Sequence, residues 1–452
     1  MSFPSAVDPA TGQSRLPSMT IPLRFVLLGL LSLFTGIGLL VARPDLLATY
    51  HYNQYIIAVT HLVVLGFIGS VVMGAMYQLV PVALETRLHS ERLARWHFVA
   101  HAVGVVGMVV MFWTWNLKQV GHFGSVFALG VGLFVFNLVK TLRTIPRWNV
   151  IAFAIAAALG WLSFTVLAGL YLAASKCWSF SSFNPIAAMH AHAHLGGLGV
   201  FVMLIVGIAY KLIPMFVLSD LRSVRRAGWS LGLLNTGLLG LFFTILLQSR
   251  LKPLFAVVAV AGLALYGLEI RAILRTRTRR VLDWGVRYFL TAIALLAPLS
   301  VLGLVLAWPG LPATAFTTQL ENVYGFLGLF GVVALAILGM LYKIVPFLVW
   351  FHRYSGEIGR AKVPSMAEMY SERLQVAGYW TFVGGLAMTS VATALGHVLA
   401  VRGGCVLLTT SLAIFAVNMA KVLSHWIKPK VQPAVPARTL NASASPSRLA
   451  LT

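Results

Sequence analysis

From Met189 to Pro214 the chain reads MHAHAHLGGLGVFVMLIVGIAYKLIP, an apolar stretch long enough to cross a bilayer, with His190, His192 and His194 near one end. Ionisable side chains at membrane depth are costly and usually face a protein interior, where they mark an ion, proton or cofactor site. A helix turns about 100° per residue, so His190 and His194 share a face while His192 points roughly to the other side. Two faces of one helix can therefore serve two pockets.

The same template recurs. His61 to Pro81, HLVVLGFIGSVVMGAMYQLVP, superimposes on His194 to Pro214 without a gap, matching Gly66 with Gly199, Gly74 with Gly207, Tyr77 with Tyr210 and Pro81 with Pro214. A third copy, Phe326 to Pro346, keeps Gly331, Gly339, Tyr342 and Pro346 but has phenylalanine in place of the leading histidine. The copies begin 133 and then 132 residues apart. Each interval holds four apolar runs, an even number, so all three copies cross in the same direction and can be related by an axis along the membrane normal.

Composition fixes the class. Of 452 residues 59% are hydrophobic and 10% charged, and the mean hydropathy is +0.88; this is a polytopic membrane protein. The formal charge of +23 does not point to nucleic acid, because the basic residues sit mainly in short loops between apolar runs, where they set orientation. The two cysteines, Cys177 and Cys405, form no C-x-x-C or C-x-x-C-H motif and read as unpaired thiols. Met1 to Thr20 is polar and lacks the pattern of a cleaved signal peptide.

Apolar runs of about 20 residues predict twelve membrane helices: Pro22 to Val41, Gln54 to Leu84, His97 to Trp115, Gly124 to Leu142, Val150 to Ala173, Pro185 to Leu218, Gly228 to Leu247, Pro253 to Ile273, Val286 to Ala307, Asn322 to Phe351, Val376 to Leu395 and Gly404 to His425. Loops after even-numbered helices carry most of the arginines, which predicts both termini in the cytoplasm. The expected organisation is a cytoplasmic N-terminal tail (1–21), one membrane domain (22–427) and a disordered cytoplasmic tail (428–452) rich in Pro, Ala and Ser.

On these features the sequence resembles subunit I of the haem-copper oxidases, nearest to the C-family oxygen reductases and the nitric oxide reductases. The segment HAHLGGLG from His192 to Gly199 is similar to that family's H-x-H-x-G-x-L-G haem-ligand motif, and the Y-x-L-[IV]-P ending is similar too. The resemblance implies an all-α membrane protein of twelve helices in three pseudo-symmetric arcs of four. It also implies haem ligands entering from the outer halves of helices two, six and ten. Two departures stand out: the H-x-H pair lies on helix six, where the family has it on helix ten, and helix seven lacks the adjacent histidines that help hold the family's copper.

His61 and His194 occupy one register on neighbouring copies, so helices two and six can present imidazoles to one iron, with His192 or His194 as partner of His61. In the related family the two members of H-x-H serve different haems, leaving the other histidine for a second haem or a metal. The metal-ligating set is thus His61, His190, His192 and His194. Gly66, Gly69, Gly196, Gly197 and Gly199 could make room for a macrocycle, but small residues at such positions read first as close helix packing. His51, His122, His190 and His397, with His192, are read as loop and interface histidines, with a copper or zinc site as the sharper alternative. Tyr77, Tyr210 and Tyr342 read as interfacial anchors. Glu269 and Glu321 read as solvated positions, and the Asn137/Lys140 and Asn418/Lys421 pairs as shared ancestry. His101 reads as a satisfied interior group.

The expected function is a bacterial inner-membrane haemoprotein with b-type haem and copper as a further candidate cofactor. It would serve electron transfer or the handling of O2 or NO, without the usual active-site copper, with a cytochrome or a quinol as donor and no nucleic acid partner. If it is an enzyme, it is an oxidoreductase of the terminal oxidase or nitric oxide reductase kind. The alternatives are a cofactor-free transporter or metal permease with a histidine-lined pathway, and a haem or copper sensor or assembly factor.

Overall fold

The computed structural model describes residues 18–358, 360–429 and 432–433. The expected N-terminal tail lies almost wholly outside the described residues, as does most of the C-terminal one. Within the latter, Gln432 and Pro433 pair with Lys362 and Ala361 in a two-residue antiparallel bridge.

Among the described residues eleven helices are long and apolar enough to cross a bilayer. They are α1 (Thr20–Ala42), α2 (Gln54–Ala83), α3 (Glu91–Trp113), α4 (Leu117–Leu142), α5 (Val150–Trp178), α6 (Pro185–Val217), α7 (Val224–Leu246), α8 (Lys252–Arg275), α9 (Trp284–Ala307), α10 (Ala315–Glu357) and α12 (Val398–Ile427). Helix α11 (Glu372–Ala394) is less apolar than these, with glycine, threonine, serine, tyrosine and tryptophan along its length, yet it lies lengthwise against α12. Several helices begin earlier than their apolar runs. Helix α3 starts after Ser90, whose hydroxyl accepts from the Leu93 amide, and α4 after Asn116, which caps through the Gln119 amide. The apolar run marks the buried length, whereas a polar cap lets the helix continue past it.

Packing repeats three times. Helix α1 lies on α2, α5 on α6 and α9 on α10, while α3–α4, α7–α8 and α11–α12 form the closest pairs. The template glycines make the first set of contacts. A Cβ on Gly74 would stand 2.5 Å from Phe25 Cβ, one on Gly207 2.2 Å from Ala154 Cβ, and one on Gly339 2.7 Å from Tyr288 Cβ. Likewise Gly66 abuts Ser32, Gly199 abuts Trp161, and Gly331 faces Leu295. These six glycines bring backbones together where dispersion replaces the hydrophobic effect as the cohesive force.

Each template copy also carries an eight-residue π-helical segment: Leu62–Gly69 directly after His61, Leu195–Val202 directly after His194 and Leu327–Ala334 directly after Phe326. Such wide turns are rare and favour functional sites, but the third copy keeps the segment without a histidine, so here it belongs to the scaffold. The π-helical part of α10 packs against those of both α2 and α6. Between α2 and α6 runs a narrow apolar cleft lined by Met73, Met76, Leu159, Phe201 and Leu204.

A second threefold feature ties each repeat's third and fourth helices. Asn137 Oδ1 accepts from the Ser90 amide and its Nδ2 donates to the Ser90 carbonyl, at 3.0 and 2.7 Å; Asn418 does the same to Ser371, both at 3.0 Å. In the middle repeat the place is taken by Glu269, whose carboxylate accepts from the amides of Arg222 and Ser223 and from Arg226 Nη1. The shared-ancestry reading of the asparagines thus gains a structural basis. Glu269 is fully buried, not solvated as the sequence suggested, because three donors satisfy it. Tyr77, Tyr210 and Tyr342 are likewise interior residues rather than anchors. Tyr77 bonds His97, and Tyr342 accepts from Asn418.

Candidate functional site

His61 lies at the start of the π-helical segment of α2, and its Nδ1 donates to the Ile57 carbonyl at 2.8 Å. His194 repeats the arrangement on α6, donating from Nδ1 to the His190 carbonyl at 2.8 Å. A ring held by Nδ1 presents Nε2 as the ligand atom in a fixed orientation. That anchoring is not specific by itself, since His352 makes the same bond to the Leu348 carbonyl at 2.9 Å near the far end of α10.

The rings meet different neighbours. His61 packs on Phe112 of α3, with centroids 4.5 Å apart, whereas His194 stacks on Tyr324 of α10 at 5.9 Å and 24°. His192 lies on another side of α6, against α5. The His192 ring fills the space beside Gly169 of α5, where a Cβ would stand 3.1 Å from its Cε1, and its Nδ1 is buried without a hydrogen-bond partner. His61, His192 and His194 each keep some accessible surface, so they border interhelical space rather than filling a close-packed core. Helix α6 thus divides its imidazoles as the 100° turn dictates: His192 towards α5, His194 and His190 towards α10 and the loop before α2.

Of the outer histidines, only His51 and His190 come together, their Nε2 atoms 3.0 Å apart. His122 bonds Gln119 on its own helix, and His397 caps α12 by accepting from the Ala400 amide. Burial lowers the basicity of His51, with a smaller opposing effect from Asn322. Glu321 joins the pair rather than standing in solvent, with Oε2 3.8 Å from His51 Nε2. No local pattern could reveal this, because the loop holding His51 and the start of α10 lie far apart along the chain. On α3, His101 bonds Ser70 and His97 bonds Tyr77, leaving His97 Nε2 and His101 Nδ1 buried without partners. Cys177 and Cys405 are free.

Comparison with known proteins agrees with this architecture. Residues 3–120 match the family model of cytochrome c and quinol oxidase polypeptide I. A stretch of 70 residues is 36% identical to a cytochrome c oxidase subunit 1 homolog of Bradyrhizobium diazoefficiens, covering 15% of this chain and only 13% of that relative's length. Over the whole fold, a haem-copper terminal oxidase solved as a dimer superimposes with a TM-score of 0.65 at 14% identity, covering 93% of this chain and 86% of that one. In fold, and in sequence over its first quarter, the chain is thus similar to haem-copper oxidase subunit I.

Proposed function

We propose that the protein is an integral-membrane haem protein in which His61 of α2 and His192 of α6 hold a b-type haem from opposite sides. In this reading α11 is a twelfth crossing, and the helices form three arcs of four within one membrane domain over residues 22–427. Both termini face the cytoplasm of a bacterial inner membrane, and the tails lie outside the domain.

The residues present fit such a group. The supporting observations are two half-buried imidazoles on α2 and α6, one anchored through Nδ1 to the Ile57 carbonyl and the other carrying a buried, unpartnered Nδ1. Gly197 has no atom within 4 Å of its would-be Cβ, which leaves room on the same helix. When bound, the haem supplies one-electron redox chemistry at the iron. The Ile57 carbonyl fixes the His61 tautomer, Phe112 fixes its ring plane, and apolar side chains of α2, α5 and α6 exclude water.

His194, stacked on Tyr324, would be left for a second haem or a metal at which a diatomic ligand such as O2 or NO is handled. Helix α7 offers no histidine, so the proposed protein works without the usual copper partner and takes electrons from a cytochrome or a quinol. The test is an optical spectrum of the purified protein with pyridine haemochrome quantification. A Soret band that disappears in His61→Ala supports the reading; a colourless wild-type protein overturns it in favour of a histidine-lined permease.

A further inference from the structure

Three side chains with metal-binding chemistry converge where the loop before α2 meets the beginnings of α6 and α10. His51 Nε2 stands 3.0 Å from His190 Nε2 and 3.8 Å from Glu321 Oε2, and one ligand atom from each of the three lies within 4.8 Å of the others. All three side chains are partly buried.

The surroundings hold the cluster together. Gln319 Nε2 donates to the Ala48 carbonyl at 2.6 Å, and Asn322 Nδ2 donates to the Thr49 carbonyl at 2.7 Å. The helix that supplies Glu321 therefore clamps the loop that supplies His51. Asn322 Oδ1 and His51 Nδ1 are both buried without a hydrogen-bond partner, and Asn322 lies close enough to act on the His51 ring. A His51 ring protonated on Nδ1 offers its Nε2 lone pair to the side of His190 and Glu321, and a buried acceptor beside that Nδ1 is the kind of outer-shell partner a metal-binding imidazole uses. Lys252, the nearby cation, donates to the Leu306 carbonyl at 3.2 Å.

We propose that His51, His190 and Glu321 form a binding site for a divalent transition-metal ion, with two imidazoles and one carboxylate as protein ligands. The bland alternative is a hydrogen-bonded clasp between loop and helix. A clasp would use the carboxylate only as a counter-charge to His51 or to the nearby Lys252, whereas a metal site uses all three side chains as ligands. Metal–nitrogen and metal–oxygen bonds of about 2.0–2.2 Å put tetrahedral ligands about 3.3 Å apart; the 3.0 and 3.8 Å separations from His51 are within tenths of an ångström of that, and His190 and Glu321, within 4.8 Å of each other, close on the ion by side-chain rotation. Binding forms two metal–nitrogen bonds and one metal–oxygen bond, and the proton between the two Nε2 atoms passes to His190 Nδ1 or to solvent. The remaining positions are open to water. The site is distinct from the His61–His192 pair, because His190 and His192 leave α6 on different faces.

The test uses the full-length protein in detergent, stripped with a chelator and equilibrated with Zn2+, with bound metal measured by mass spectrometry. One zinc per chain is expected. Glu321→Gln and Asn322→Ala should each weaken binding at least 10-fold and His51→Ala at least 100-fold, while His122→Ala leaves it unchanged. Equal zinc binding by wild type, Glu321→Gln and His51→Ala would overturn the site, as would absence of zinc from the wild type. His51 lies in a loop, so its replacement keeps the test valid if a His190 variant fails to fold. Haem content separates this proposal from the previous one: His51→Ala should keep its Soret band, and joint loss of zinc and haem would overturn a separate site. A colourless protein that binds zinc only when Glu321 is intact would remove the haem reading and leave this one standing.

Discussion

Asn137 grips Ser90 by both backbone groups, its Oδ1 accepting from the amide at 3.0 Å and its Nδ2 donating to the carbonyl at 2.7 Å. Asn418 repeats the grip on Ser371. Replacing either by alanine leaves an amide and a carbonyl unsatisfied, each costing about 1–3 kcal/mol where water cannot replace the partner. Asn137→Ala and Asn418→Ala should both lower the midpoint of thermal unfolding in detergent, and Asn→Asp, which keeps the acceptor, should cost less.

In the middle repeat Glu269 does the corresponding work with a charge, against two amides and the Arg226 guanidinium at 3.0 Å. Arg226 is partly exposed while Glu269 is wholly buried, so removing the arginine strands a carboxylate and removing the glutamate strands two amides. Both single alanine variants should be destabilised. Because they share one network, the double variant should depart from additivity by about 0.5–3 kcal/mol. Additive thermal shifts would contradict a shared network.

The proposed haem ligands predict an asymmetry within one helix. His61→Ala and His192→Ala should lose most of the Soret band, whereas His194→Ala should keep the haem held by that pair. If His194→Ala bleaches the protein and His192→Ala does not, the pairing with His61 belongs to His194.

The template glycines offer a packing test independent of any cofactor. A methyl group at Gly207 would stand 2.2 Å from Ala154 Cβ, so Gly207→Ala must push α6 from α5, at a cost of about 1–3 kcal/mol. Gly197→Ala, with nothing within 4 Å, should leave stability near that of wild type. The contrast is read from unfolding midpoints.

Helix ends supply a stabilising change. Trp115 and Gln248 follow corresponding helices in a left-handed conformation, with φ of 57° and 50°, where the third repeat has Gly396 at 64°. A side chain in that conformation costs about 1–2 kcal/mol. Gln248→Gly should therefore raise the unfolding midpoint.

The sequence by itself determined the membrane class, the threefold template and the angular division of the α6 histidines. All three follow from local periodicity: apolar length against bilayer thickness, identical spacing of His61 and His194 from their prolines, and the fixed rotation per helical residue. What only the tertiary structure decided is which partner each side chain meets. Glu269 stands in for Asn137 and Asn418 although its residue type hid the equivalence, and Tyr77, Tyr210 and Tyr342 turn inward although their place near helix ends suggested a surface. His51 and His190 are 139 residues apart, and no local pattern connects them to each other or to Glu321. Their meeting depends on where the α2 loop, α6 and α10 come to rest against one another, which the packing of the three repeats settles and the spacing along the chain does not.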